Sequence, residues 1–344
     1  MAAAERKTAS LILPILNEER YIENCVRSLL EQDYPREELE ILLVDGMSSD
    51  GTMEILRRLE SEFPNTVRVL ENPKRIQASA MNVGADAACG EYLLRIDAHV
   101  EYPLCYVSTC IRLIEETGAS NTGCACRTEA RTKTGKIIAK LLTSSFAVGG
   151  SRFRVGAESG YVDTVPFGTF RKSYYQELGG FDERLARSED NEINYRIRKR
   201  GGKIYMTSDI QVTYYCRETV GALAKQAAAN GKWTILSARL CPGSMSLKYF
   251  VPFLFDLSLI AMPPLSFLHP LFAFAFAAEL ALYLTLALLS AARKANGLRE
   301  LLFLTALFPI FHIAYGLGSF AGLGALFIPG KWTAHEQPAG KDKL

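Results

Sequence analysis

The first two thirds of the chain alternate two hydrophobic rhythms. Short apolar runs at Ser10–Leu16, Glu40–Val44, Val67–Leu70 and Tyr92–Ile96 predict strands. Between them, Glu19–Gln32, Thr52–Phe63 and Ala78–Ala88 carry apolar residues at helical spacing, as Tyr21, Cys25 and Leu29 illustrate. Strands alternating with helices of this length predict an α/β fold, a mostly parallel sheet with helices on both faces. Such sheets bind ligands beyond the carboxyl ends of their strands. Asn17, Asp45 and Asp97 each follow a predicted strand, so three strands deliver polar groups to one edge.

The rhythm then changes. Thr128–Asp163 is rich in Gly, Ser and Arg, with one helix expected over Ile137–Phe146. That helix reads KIIAKLL, a pattern that suits packing on a core or lying on a membrane surface. From about Lys248 the chain is dominated by Phe, Leu and Ala, in apolar stretches at Tyr249–Phe267, Leu268–Ala291 and Leu301–Phe327. The second and third are long enough for a bilayer core of ~30 Å. The first carries Asp256 and Pro263-Pro264, and spanning, re-entrant and interfacial placements all suit it. Basic residues before it (Arg239, Lys248) and between the later two (Arg293, Lys294, Arg299) place those points on the cytosolic side. The expected organisation is a cytosolic domain over 1–240, a membrane region over 241–330 with two to three helices, and a polar tail over 331–344.

Composition adds exclusions. The 344 residues carry a net charge of +2, which gives no support for a nucleic-acid partner. Cys124 and Cys126 form a C-x-C, but no second pair or His follows at zinc spacing, so the eight cysteines are read as free thiols in a reducing compartment. The first apolar run, Leu11–Leu16, is too short for a secretory leader, which keeps the front domain in the cytosol.

Four segments carry candidate chemistry. LILPILNEER sets Pro14, Asn17 and Glu18 at the mouth of the first strand. ILLVDGMSSDGT ends a buried strand in Asp45 and supplies Asp50, which also fits a helix cap. In RIDAHV, Asp97 and His99 stand at i and i+2 of a strand end, where two ligands can share a divalent ion and so neutralise a leaving diphosphate. In GGFDERLARSEDNEINYR, Glu189-Asp190 opens a helix. Its dipole favours an ionised carboxylate that can act as general base, or merely cap the helix.

Taken in this order the segments resemble the family 2 glycosyltransferases of GT-A fold. The shared elements are P-x-x-N-E, V-D-x-x-S-x-D-G-T, N-x-G followed by D-x-(D/H), and G-G-F-D-E followed by E-D, across roughly residues 8 to 235. The resemblance is nearest to the succinoglycan-type exopolysaccharide glycosyltransferases, which share R-x-D-A-H, G-G-x-x-F-R at Gly149–Arg154, V-D-T-V at Val162–Val165 and E-D-N-E-x-N-Y-R. It implies an inverting transferase with Asp190 as general base and Glu189 beside it near the acceptor. Donor contacts would come from Pro14, Asn17, Glu18, Asp45, Asp50 and Asp97, and Mn²⁺ or Mg²⁺ would sit on Asp97 and His99. Gln226 and Trp233 stand near a Q-x-x-R-W element of polymerising relatives, which this sequence matches in part, and mark a tentative acceptor region. The implied partners are a nucleotide-sugar donor, a UDP-sugar by expectation, and a lipid-linked saccharide acceptor at the cytoplasmic membrane face in polysaccharide synthesis. Transfer to polyprenyl phosphate and a non-catalytic membrane scaffold are the alternatives.

Overall fold

A computed structural model describes residues 9–156 and 158–328. The chain runs β1 (Ala9–Ile15), α1 (Ile22–Leu30), β2 (Leu39–Asp45), α2 (Thr52–Glu62), β3 (Val67–Glu71), α3 (Gln77–Ala87), β4 (Tyr92–Arg95) and β5 (Val100–Glu101). It continues through α4 (Tyr106–Thr117), β6 (Asn121–Glu129), the helices α5 (Lys133–Leu142), α6 (Ser145–Val148) and α7 (Arg152–Val155), then β7 (Gly160–Tyr161) and β8 (Thr169–Arg171). It closes with α8 (Lys172–Leu178), α9 (Glu189–Lys199), β9 (Ile204–Tyr215), α10 (Val220–Leu240), α11 (Val251–Ser266), α12 (Pro270–Ala292) and α13 (Leu298–Leu326). Two compact units result. One takes the chain up to Arg127 and again from Gly156 to Tyr214; the other takes Thr128–Val155 and the described chain from Tyr215 onward.

The first unit is built on a mixed sheet of order β3-β2-β1-β4-β8-β6-β9-β5. Its first four strands are parallel, with Ile12 level with Leu42 on one side and Arg95 on the other. Leu11, Ile12 and Leu13 of β1 are all fully buried, as a central strand covered on both faces requires. From β4 onward the pairing turns antiparallel, beginning with Leu93 opposite Phe170. The parallel half is where the sequence alternates strand and helix; the antiparallel half comes from β6, β8 and β9, which lack that rhythm. Consecutive β1 and β2 pair on one side while β4 joins β1 on the other. Their carboxyl ends thus open a crevice where the strand order reverses. Gly84 lets α3 lie close on β1, for a Cβ there would be 2.4 Å from Ile12 Cγ2. That contact explains the N-x-G spacing and seats Gln77, the first residue of α3, near the crevice.

The second unit is helical. Its helices at Leu247–Ser266, Pro270–Ala292 and Leu298–Leu326 are each long and apolar enough to cross a membrane. The first stays helical through Pro263-Pro264, and Asp256 within it is buried against Gly316, whose missing side chain leaves room for the carboxylate. The helix expected over Ile137–Phe146 instead begins at Lys133, where Thr132 caps it by accepting from the Gly135 N–H, and ends at Leu142. Ile138, Leu141 and Leu142 are buried, and α5 packs on α10 and α13. An ion pair from Lys140 to Glu300 reinforces the contact. The helix α10 ends at Leu240, lies along α13 and belongs to the helical unit. The polar tail over 331–344 falls outside the described residues.

Candidate active site

The loops after β1 and β2 are stitched together by short polar side chains. Asn17 takes a left-handed backbone (φ +58°), which an asparagine tolerates better than most residues. Its N–H donates to Ser48 Oγ at 2.8 Å and its Oδ1 accepts from the Ser49 N–H at 2.8 Å. Asp45 is fully buried; its Oδ1 accepts from the Ser48 hydroxyl at 2.5 Å and its Oδ2 from the Ser48 N–H at 3.0 Å. Asp50 Oδ1 accepts from the N–H of Thr52, the first residue of α2, from one place ahead of the cap position, which Gly51 takes. The Glu18 N–H donates to Thr52 Oγ1 at 2.8 Å, and Pro14, level with Val44, is half-buried at the end of β1. Pro14, Asn17, Glu18, Asp45 and Asp50 therefore gather at one edge, with Asp45 turned into its own loop.

β4 delivers the second group. Asp97 Oδ1 accepts from Gln77 Nε2 at 2.9 Å and from Arg95 Nε at 3.4 Å. Its backbone N–H donates to the Tyr102 hydroxyl at 2.9 Å. His99 follows on a short turn, its Nδ1 lying 3.4 Å from Glu18 Oε1, so residues from the ends of β1 and β4 meet.

The third group opens α9. Ser188 supplies the turn with φ +66°, and Glu189 and Asp190 begin the helix. Arg95 Nη1 donates to Asp190 Oδ1 at 2.5 Å and lies 3.2 Å from Glu189 Oε1. One buried guanidinium thus faces Asp97, Glu189 and Asp190 together. Burial opposes its charge, but the three carboxylates outweigh that and hold its pKa above the usual arginine value. Asp190 is pushed up to about 7, first by burial and then by Glu189 and Asp97, against the pull of Arg95. A quarter of its side chain (25%) remains open to solvent.

The remaining residues of the E-D-N-E-x-N-Y-R segment hold the helix in place. Glu192 forks onto Arg196, with two contacts of 2.6 Å, and Arg196 donates onward to the carbonyls of Leu178 and Gly180. Asn194 accepts from Asn121 at 2.7 Å and donates to Thr164 Oγ1 at 2.9 Å, tying α9 to β6 and to the V-D-T-V segment. In the G-G-F-D-E turn, Asn82 accepts from the Phe181 N–H and donates to the Phe181 carbonyl. Arg95, the first residue of the R-x-D-A-H element, is given no role by the motifs. Its signal was present: an arginine on a strand whose neighbours Leu93, Leu94 and Ile96 are fully buried, two positions before Asp97. Gln226 and Trp233 lie on α10 of the helical unit, where Trp233 is 2% exposed.

A divalent cation suits the donor set at Asp97. Both hydrogen bonds to that carboxylate converge on Oδ1, leaving Oδ2 without a hydrogen-bond partner among the described residues. An open carboxylate oxygen is a donor of the kind that hard divalent cations take.

Known proteins agree with this architecture. The chain is 35% identical to the succinoglycan biosynthesis protein ExoA of Rhizobium meliloti over 76% of its own length and 77% of that protein. It is 29% identical to the dolichyl N-acetyl-alpha-D-glucosaminyl phosphate 3-beta-D-2,3-diacetamido-2,3-dideoxy-beta-D-glucuronosyltransferase of Methanococcus voltae, over 91% and 96% of the two chains. In structure it resembles the mannosyltransferase PcManGT from Pyrobaculum calidifontis, solved with GDP-Man and Mn²⁺. The TM-score is 0.62 at 19% identity over 92% of this chain and 88% of that one, a likeness of GT-A fold. Residues 10–179 match the Glycosyl transferase family 2 domain, and with the first of these relatives that match makes the chain a member of that family.

Proposed function

We propose that the protein is an inverting glycosyltransferase moving a sugar from a nucleoside-diphosphate sugar, a UDP-sugar by preference, to a lipid-linked saccharide at the cytoplasmic membrane face. The observation that carries this reading is the meeting of Asp97, Glu189 and Asp190 around Arg95 at the carboxyl edge of the parallel strands. Asp190 accepts the proton of the acceptor hydroxyl. The freed oxygen forms a bond to the anomeric carbon as the bond to the diphosphate breaks, and the electron pair leaves with the nucleoside diphosphate. An α-linked donor then gives a β-linked product. Glu189 stands beside the base, while Asn17, Glu18, Asp45, Asp50 and Pro14 shape the nucleoside end. Asp97 and His99 would hold Mn²⁺ or Mg²⁺, which when bound neutralises charge developing on the diphosphate. Gln226 and Trp233 are kept as candidates for the acceptor region.

The membrane part of the reading rests on the three apolar helices and on what the relatives are named for: succinoglycan biosynthesis, and a glucuronosyl transfer onto a dolichyl phosphate-linked sugar. Lys248 before the first helix, and Arg293 and Lys294 after the second, set these ends in the cytosol by their charge. The test is a panel of nucleotide sugars offered to the full-length protein in membranes with lipid extract, followed by mass analysis of the glycolipid. A new glycolipid one sugar larger than the acceptor supports the proposal. A long polymer, or a lipid carrying only phosphate and one sugar, replaces it with synthase or polyprenyl-phosphate chemistry.

A further inference from the structure

Arg95 is buried, with 6% of its side chain exposed, and it brings a positive charge to this edge. It touches both functional halves of the site: Nε reaches Asp97 at 3.4 Å, while Nη1 reaches Glu189 at 3.2 Å and Asp190 at 2.5 Å. Its place is set from behind, because Arg95 ends a strand between β1 and β8 and its N–H donates to the Gly168 carbonyl at 3.1 Å. The two carboxylates of α9 come from a helix anchored independently by Arg196 and Asn194. Three carboxylates this close repel one another and disfavour ionisation unless a cation lies among them. A lysine's point charge cannot match the planar fork in meeting several of them at once.

Asp190 receives one hydrogen bond among the described residues, and it falls on Oδ1. That leaves Oδ2 without a hydrogen-bond partner among the described residues, on a side chain that is 25% exposed.

We propose that Arg95 is the positioning residue of the catalytic base: it ties down Asp190 Oδ1 so that Oδ2 faces the acceptor hydroxyl, and it locks the base to the diphosphate-side Asp97 in one arrangement. The inference rests on the function proposed above. It assigns Arg95 no contact with sugar or diphosphate, so its loss strikes turnover and spares donor affinity.

The experiment compares Arg95→Met and Arg95→Lys with wild type, measuring kcat, donor KM, calorimetric affinity for the nucleoside diphosphate with Mn²⁺, and melting temperature. Met is expected to lower kcat by about 100-fold, the scale of a general base that is present but misaimed. Donor KM and diphosphate affinity should stay within about threefold, below the tenfold that 1.4 kcal/mol represents. Lys should recover part of kcat, and added guanidinium ion should raise kcat of an Arg95→Ala variant more than an equal concentration of ammonium ion.

Unchanged kcat in Arg95→Met overturns the proposal. So does a loss confined to KM and diphosphate affinity, since Arg95 would then be a donor contact. If Met fails to fold, Lys and the guanidinium rescue decide. A Lys variant equal to wild type, with no guanidinium preference, removes the need for a fork. Wild type is assayed alongside; if it transfers no sugar, it is the glycosyltransferase reading that fails, whereas a defect in the variants alone bears on Arg95.

Discussion

The hydroxyl of Ser48 donates to Asp45 Oδ1 at 2.5 Å, closing the strand-terminal carboxylate onto its own loop. The same hydroxyl accepts from the Asn17 N–H, so one side chain couples the loops after β1 and β2. Ser48→Ala leaves Asp45, which has no solvent exposure, short of a hydrogen bond; such a loss costs ~1–3 kcal/mol. We expect a lower midpoint in chemical denaturation and a several-fold higher donor KM, with kcat falling less. Equal donor KM in the two proteins would show that the coupled loops lie away from the nucleoside.

With Asp190 as the proposed base, its titration is expected to set the acidic limb of the rate profile. A base must be deprotonated to act, so kcat should fall as pH drops through about 7. The sign for stability is the opposite of the usual carboxylate case. Raised from 3.8, this group favours its protonated form in the folded state, so stability is lost as pH rises from about 4 toward about 7. Asp190→Asn should abolish the acidic limb together with at least ~100-fold of kcat while sparing donor binding. A variant retaining a tenth of wild-type turnover would falsify the base assignment.

The crevice was legible because its carboxylates follow strands whose burial is written as unbroken apolar runs. Asn17, Asp45 and Asp97 could be placed at one edge from that alone, whereas the Glu189-Asp190 pair opens a helix and was joined to them only by the family resemblance. What the sequence concealed is pairing at a distance. Arg95 and Asp190 are far apart in the chain, and no local pattern announces that they touch. The antiparallel strands were hidden too. β6, from Asn121 to Glu129, reads NTGCACRTE, whose small residues carry neither the alternation nor the bulk that marks a strand. Likewise α10 reads as weakly amphipathic, because its buried face is made of Ala227, Gly231 and Trp233, and only the close neighbour α13 explains that choice.

The metal proposal separates Asp97 from His99. Oδ2 of Asp97 is the open oxygen, and a carboxylate cancels cation charge where an imidazole does not. Asp97→Ala should therefore remove Mn²⁺-dependent binding of a nucleoside diphosphate, while His99→Ala weakens it less. Calorimetric titration with and without Mn²⁺ distinguishes them. Equal Mn²⁺ dependence in wild type and Asp97→Ala would move the ion to other residues.

Removing the chain after Leu240 tests how much the sheet-based unit owes to the apolar helices. That cut spares every candidate donor residue, yet it strips α10 of α13. The two helices are in unusually close contact: a Cβ on Gly231 would lie 1.8 Å from the Tyr315 carbonyl oxygen, and one on Gly318 would lie 1.9 Å from the Ala228 carbonyl oxygen. Thr234 and Tyr315 also share a hydrogen bond of 2.6 Å. Without α13, the buried face around Gly231, Thr234 and Ile235 turns to water. An exposed apolar strip of that kind promotes association. We therefore expect the 1–240 fragment to self-associate in aqueous buffer, with detergent restoring a monodisperse species. The core of β1, β2, β3 and β4 needs no residue from the tail, so the detergent-solubilised fragment should still bind a nucleoside diphosphate with Mn²⁺. Gly231→Val in the full chain supplies the matched control: it should lower the melting temperature in detergent by splaying α10 from α13, with little change in diphosphate affinity. A fragment that is monomeric without detergent would mean that α10 is stable without its partner. A fragment that binds no diphosphate even in detergent would mean that the donor site depends on the helices it has lost.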